Sequence, residues 1–90
     1  MAVEVRIPTI LRTFTGGAKA VQGDGDTLSA VINDIDSRNP GLKDRLVESE
    51  EIRRFVNVYV NDEDVRFSGG LRAPTTDGDV VVVLPAVAGG

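Results

Sequence analysis

The chain has 90 residues, of which 41% are hydrophobic and 27% are charged, as expected of one small globular domain with a limited core. Its 14 acidic and 10 basic residues give a net charge of -4, which argues against nucleic acid as a partner, because phosphates require clustered Lys and Arg. The sequence contains neither cysteine nor histidine, which excludes a disulfide, a thiolate nucleophile and an imidazole base, and we expect no metal site.

The sequence also argues against a membrane protein. No apolar run approaches the roughly 20 residues that cross a bilayer. The first residues lack the charged leader and apolar stretch of a signal peptide. We therefore expect a cytoplasmic protein with no membrane partner.

The N-terminal segment predicts a β-hairpin. Residues 2–7 alternate between apolar and polar side chains, which is the period of a half-buried strand. Pro8 lacks a backbone N–H, so the strand should end near it. Two glycines at 16–17 predict a turn, because glycine adopts positive φ without steric cost. The weaker alternation of residues 18–22 predicts the second strand of the hairpin.

A change of period then indicates one amphipathic helix. Its apolar residues recur at i, i+3, i+4 and i+7, which places them on one helical stripe, and they are Leu28, Val31, Ile32 and Ile35. Asp26 or Thr27 is a suitable N-cap, and residues 39–41, Asn-Pro-Gly, should end the helix. Residues 42–54 are polar, and we interpret them as a connection with a short helical turn.

The second half of the chain predicts further strands. Residues 55–60 alternate clearly, residues 61–64 read as a tight turn, and residues 65–67 are interpreted as a short returning strand. A turn at 76–79 precedes the last strand, 80–84, which is apolar at every position.

The predicted order is therefore β-β-α-β-β-β, with one helix to be covered by one mixed sheet. This order predicts the α+β class and the β-grasp, or ubiquitin-like, architecture. We expect a domain of residues 1–84 followed by a flexible C-terminal tail of residues 85–90. An uninterrupted apolar strand indicates that both of its faces are covered.

The second face of the last strand is a candidate partner interface. Continued alternation places Val81 and Val83 toward the helix and the neighbouring side chains on the opposite side. The residues that we assign to this interface are Val80, Val82, Leu84, Tyr59, Phe67, Ile10 and Leu11. The alternatives are that the core wraps further round the sheet or that valine serves strand propensity alone.

The chain is not expected to be an enzyme, because its carboxylates cluster at predicted turns and a domain of this size offers little room for a pocket. The candidate functional segment is therefore the tail, which runs through Pro85, Ala86, Val87 and Ala88 to Gly89 and Gly90. Two terminal glycines are thin enough to enter a narrow channel. The group that such a tail delivers is the α-carboxylate of Gly90.

Four segments resemble the ubiquitin-like sulfur carriers of the MoaD/ThiS family, and in particular the actinobacterial carriers of cysteine biosynthesis. They are IPTILR at 7–12, FVNVYVNDEDVRFSGGL at 55–71, DGD at 77–79 and LPAVAGG at 84–90. The resemblance covers nearly the whole chain, with residues 42–54 the least distinctive part.

The resemblance implies that an E1-like enzyme of the MoeB/ThiF type uses ATP to adenylate Gly90, and that sulfur then enters as a thiocarboxylate. It also implies a sulfur-accepting synthase, dependent on PLP in the cysteine pathway, and a JAMM-type metalloprotease that releases the product. The carrier itself would bind no cofactor and would be a monomer when free. Molybdopterin synthase, a thiosugar or thiamine-type synthase, and a role as a ubiquitin-like protein modifier remain as alternatives.

Overall fold

A computed structural model describes residues 2–54 and 56–85 of the chain. The described residues form seven strands and two α-helices. In chain order the strands are β1 (Ala2–Arg6), β2 (Ala20–Asp24), β3 (Val47–Glu48), β4 (Glu51–Ile52), β5 (Val56–Val60), β6 (Glu63–Asp64) and β7 (Val80–Pro85). The helices are α1 (Leu28–Arg38) and α2 (Leu42–Leu46).

Five strands form one mixed sheet in the order β2-β1-β7-β5-β6. The last strand, β7, lies in the middle, parallel to β1 and antiparallel to β5. Val5 faces Val81 in the first of these pairings, and Val58 faces Val83 in the second. With α1 packed across one face, this is the β-grasp fold that the sequence predicted.

Helix α1 begins and ends as the sequence indicated. Thr27, rather than Asp26, is the N-cap, and its hydroxyl oxygen accepts a 3.2 Å hydrogen bond from the Ala30 amide. At the other end the backbone N–H of Asn39 bonds to the carbonyl of Ile35. The four predicted stripe residues are all buried.

The core lies between α1 and the inner face of the sheet. Its buried members on the sheet are Val3, Val5, Val58, Val81 and Val83. Gly23 of β2 allows the helix to approach, because a Cβ there would lie 2.8 Å from Val31 Cγ1 and 2.9 Å from Ile35 Cγ2. The helix is therefore seated directly on the first hairpin.

The hairpin contains a feature that the sequence did not predict, a 3-10 helix over Thr9–Thr15 between β1 and β2. It ends at Gly16, which adopts a left-handed conformation with φ 66. Leu11 points from this helix into the core and is 9% exposed. Its assignment to the partner interface is therefore corrected, because the helical turn directs its side chain inward.

Two further differences concern short elements. Residues 65–67, predicted as a returning strand, form a 3-10 helix, and the returning strand is the two-residue β6. The Asp64 carboxylate accepts a 2.9 Å bond from the Arg66 amide, and this bond closes the turn. The connection 42–54 contains α2, as expected, and also the ribbon formed by β3 and β4, which was missed.

Among the described residues, no helix is long and apolar enough to cross a membrane.

Candidate functional site

The structure describes the strand that leads into the predicted tail. Strand β7 ends at Pro85, so this residue, assigned to the tail from the sequence, belongs to the sheet, where it faces Val56. The predicted tail residues Ala86, Val87, Ala88, Gly89 and Gly90 lie outside the described residues. The described part of the candidate site is therefore β7, the strand that precedes them.

Strand β7 is held on both sides at its start and on one side at its end. Its pairing with β1 stops at Val82, which faces Arg6, because β1 ends there and Pro8 has no N–H to continue the ladder. Its pairing with β5 continues as far as Pro85. The last residues of β7 therefore border a gap on the side of β7 where β1 has ended.

The start of β7 is fixed by side-chain hydrogen bonds. Asn61 donates from Nδ2 to Asp79 Oδ1 at 2.9 Å and accepts at Oδ1 from the Val80 amide at 3.0 Å. The second carboxylate oxygen of Asp79 accepts from the Thr76 amide at 2.8 Å. The bond from Asn61, and then the one from Thr76, hold the pKa of Asp79 below its ordinary value, because both favour the ionised carboxylate.

A buried hydroxyl adds to this anchoring. Thr75 is 2% exposed, and its Oγ1 donates to the carbonyl of Gly25 at 2.8 Å. Its amide donates to the carbonyl of Asp26 at 2.9 Å. The segment that leads into β7 is thus attached to the loop that leads into α1.

The alternation predicted for the last strand is confirmed. Val81 and Val83 are buried against the helix, Val80 and Val82 are half-buried, and Leu84 is 46% exposed. The residue directly across from Val82 is Tyr59, which is half-buried on the same outer face. The outer face of the sheet therefore carries an apolar strip that becomes more exposed toward the tail.

The other predicted interface residues are divided between two places. Ile10 is 67% exposed and lines a groove together with Leu84 and Pro85, so the structure brings these three side chains together. Phe67 is 86% exposed and follows β6 at the far edge of the sheet. Its neighbour Arg66 reaches Asn57, which lies directly across from Leu84.

Two open grooves border the end of β7 and share the residues Pro8, Ile10, Val83 and Pro85. The first groove, of about 480 Å³, occupies the gap beside β1, and the second, of about 260 Å³, extends toward α2 and β5. Both also contain cationic side chains. The sequence analysis missed these cations, because they come from separate segments and no run of basic residues marks them.

In the described part of the chain, no three residues of the types His, Cys, Asp or Glu are grouped so that they could hold a metal ion. What the described geometry offers is a rigid platform with an exposed, partly apolar end.

Comparison with known proteins gives consistent matches along the chain. Residues 5–90 match the ThiS family. The chain is 57% identical to the sulfur carrier protein CysO of Mycobacterium tuberculosis, with both chains covered in full. It is 37% identical to small archaeal modifier protein 3 of Haloferax volcanii, again over both full lengths.

Among solved structures, it superimposes on a chain of the Amycolatopsis orientalis BexX/CysO complex with a TM-score of 0.95. The two sequences are 62% identical, and the match covers 99% of this chain and all of the other.

Proposed function

The chain belongs to the ThiS family of ubiquitin-like sulfur carriers, and we propose that it carries sulfur as a thiocarboxylate on Gly90. It is a sulfur carrier protein, and thus a protein substrate of other enzymes rather than an enzyme. The observation that carries the proposal is the full-length identity of 57% to CysO, together with the terminal Gly-Gly of this sequence.

The chemistry follows from the state of the terminal group. An α-carboxyl group has a pKa of about 3.3–3.7, so at neutral pH it is an anion that resists nucleophiles. An E1-like enzyme of the MoeB/ThiF type would let this carboxylate attack the α-phosphorus of ATP, with pyrophosphate as the leaving group. A sulfide-bearing donor would then displace AMP and leave –COSH on Gly90. The chain has no cysteine, so no other residue could carry the sulfur as a persulfide.

We propose cysteine biosynthesis in the cytoplasm as the pathway. In that pathway a PLP-dependent synthase would accept the sulfur, and a JAMM-type metalloprotease would release the product and restore Gly90. The identity to CysO supports this client. The carrier itself would bind neither ATP nor PLP.

Other enzymes that would accept the sulfur are the alternatives to cysteine biosynthesis. The crystal structure of a CysO chain with BexX supports the idea that a carrier so similar to this one docks on a second protein. The 37% identity to an archaeal modifier protein favours a role as a protein modifier. A molybdopterin synthase is a further possibility within the same tail chemistry.

The exposed part of the outer face is the proposed docking surface for these enzymes. Leu84 and Ile10 lie beside the point where the tail begins, so a partner that holds them would keep Gly90 within reach of its active site. Val82 and Tyr59 continue the apolar strip. Phe67, exposed at the far edge of the sheet, would be a second contact point for such a partner.

The experiment removes Gly90 or adds one residue after it. We expect intact-protein mass spectrometry, after incubation with the adenylating enzyme, ATP and a sulfide source, to show the sulfur-for-oxygen gain only in the unaltered chain. Both variants should melt at the same temperature as the unaltered chain, because neither changes any of the described sheet and core residues. A mass gain in the truncated chain would refute Gly90 as the carrier residue.

The client is tested separately with the thiocarboxylated chain. A PLP-dependent synthase supplied with O-phosphoserine should release phosphate and join the remaining three-carbon unit to the thiocarboxylate sulfur, and the product should exceed the carboxylate form of the chain by the mass of one cysteinyl residue. Transfer to molybdopterin precursor alone would favour the second client. Attachment to lysines of other proteins would favour the modifier role.

A further inference from the structure

The end of the molecule that carries the tail has the opposite charge to the rest of it. Arg6, Arg12 and Lys19 line the first groove beside β7, and Arg45 and Arg53 line the second. Half of the ten basic residues of the chain are therefore gathered around one strand end. All 14 acidic residues fall within the described part of the chain, and none of them lines either groove.

Three of these cations carry most of the available charge. Arg6 forms an ion pair with Glu4 at 2.8 Å, and Arg53 forms one with Glu48 at 3.3 Å. Within the described residues, the other three, Arg12, Lys19 and Arg45, form no ion pair. We call Arg12, Lys19 and Arg45 the basic collar.

Two members of the basic collar are held in place by the fold. Arg12 donates from Nε to the Ile7 carbonyl at 3.1 Å. The guanidinium carbon of Arg45 lies 5.4 Å from the centroid of the Phe14 ring, a cation–π contact. Side chains that are already ordered lose less entropy when a partner binds. The collar is therefore better suited to recognition than mobile surface cations would be.

Arg66 lies on the far side of β7, where it is ion-paired with Asp64 at 3.8 Å. Arg66 donates to Asn57 Oδ1 at 2.8 Å and to the Val56 carbonyl at 2.7 Å. These two residues of β5 face Leu84 and Pro85. Because β6 is too short to cover this part of β5, Arg66 satisfies the carbonyl that is left without a ladder partner. Arg66 thus orders the far side of β7 but, like Arg6 and Arg53, is neutralised by an acidic neighbour and is not part of the collar.

We propose that the basic collar docks against an acidic rim around the channel that receives the tail, on each enzyme that acts on Gly90. The proposal rests on the proposed function, since it assumes enzymes that take up the tail. The net charge of -4 makes the rest of the surface repel such a rim, so an approaching carrier would be turned with its tail forward. The collar would therefore act mainly on orientation and association rate.

The composition of the surface favours a protein rather than a nucleic acid as the occupant. Exposed apolar side chains, Ile10 and Leu84, lie beside the cations, as in a protein interface whose apolar centre is bordered by a polar rim. A nucleic acid long enough to cover both grooves would also meet the surrounding carboxylates, and polyphosphate binding requires a continuous basic surface.

The test compares two double variants: one reverses the charge of two collar residues, and the control reverses the charge of two cations elsewhere on the surface. The collar variant is Lys19→Glu with Arg45→Glu, and the control is Lys43→Glu with Arg72→Glu, two cations that line a different cavity beside α1. The probe is the purified MoeB/ThiF-type adenylating enzyme, and its Kd is measured by titration calorimetry at low and at high salt.

We expect the collar variant to bind at least about tenfold more weakly at low salt, the control to change by less than about threefold, and the gap to narrow at high salt. Equal losses of affinity in the two double variants would refute the proposed role of the collar, and so would a difference in Kd between them that high salt does not reduce. So would a wild-type affinity for a DNA duplex that the collar variant loses while it keeps its affinity for the enzyme.

Failure of the collar is distinguishable from failure of the proposed function. All of these variants keep Gly90, so each should form the thiocarboxylate when the adenylating enzyme is saturating. If the unaltered chain forms no thiocarboxylate, the proposed function is wrong whatever the binding data. If it forms one while both double variants bind alike, only the collar is wrong.

Discussion

The two ends of strand β7 are built in opposite ways. At its start, Asp79 and Val80 are held by Asn61 and the Thr76 amide, and the strand is paired on both sides. At its end, Leu84 and Pro85 are exposed, and only β5 pairs with them. The comparison indicates that one end of a single strand secures the fold while the other is left available for contact.

The largest loss of stability is expected in the well-paired part of the strand. Val81→Ala removes two buried methyl groups from the centre of the core, where Val81 is 1% exposed. We expect the free energy of unfolding, measured with urea, to fall by about 2 kcal/mol. The matched control is Val82→Ala on the outer face, which should lose less than half as much. Equal losses would show that the outer face is as well packed as the inner one.

A smaller effect, which depends on pH, is expected from the carboxylate at the start of β7. Because the pKa of folded Asp79 lies below its unfolded value, the ionised form contributes stability above about pH 4, and that contribution is lost as the pH falls through the folded pKa. Asp79→Asn should therefore be less stable than the unaltered chain at pH 7, with a difference that shrinks at pH 3. Unfolding curves at both pH values measure this, and a constant difference would contradict the linkage.

The smallest effect on stability is expected at the exposed end of the strand, together with the largest effect on binding. Leu84→Asp should change the unfolding free energy by under about 0.5 kcal/mol, because Leu84 lies outside the core. It should weaken binding to the adenylating enzyme by more than about tenfold, or ~1.4 kcal/mol.

The charge-matched control for this last variant is Asn33→Asp, on the exposed side of α1. It should leave both quantities unchanged. An unaltered affinity in Leu84→Asp would remove Leu84 from the interface, and a collapsed melting temperature would place it in the core instead.

The sequence predicted those elements whose side chains repeat with a regular period. Helix α1 was found because four apolar residues follow its turns, and the inward direction of Val81 and Val83 followed from simple alternation. The fold could therefore be predicted from the sequence, because its main elements carry these periods.

The errors concern elements too short to show a period. Residues 65–67 have strand-forming side chains, but one bond from Asp64 is enough to close them into a 3-10 turn. Leu11 was placed outside because the 3-10 helix that turns it inward has no apolar repeat. The ribbon of β3 and β4 turns through Ser49 and Glu50, with φ 52 and 63, and neither residue type signals such a turn.

The basic collar escaped prediction for a different reason. Its cations come from three segments that only the folded chain brings together: the 3-10 helix, the turn that precedes β2, and α2. A count of net charge conceals this arrangement, because 14 acidic residues elsewhere outweigh it. A surface of locally reversed sign can be found only from coordinates.

The central position of β7 also has a consequence for the order in which the molecule is made. The amide of Ala2 donates to the Asp77 carboxylate across 75 residues of sequence, and β1 then pairs with β7, so the first strand synthesised waits for the last. Contacts so distant in sequence make folding slow, and until they form, β1 and β5 present unpaired edges. A translation product that stops short of β7 would therefore remain unfolded and be open to proteolysis.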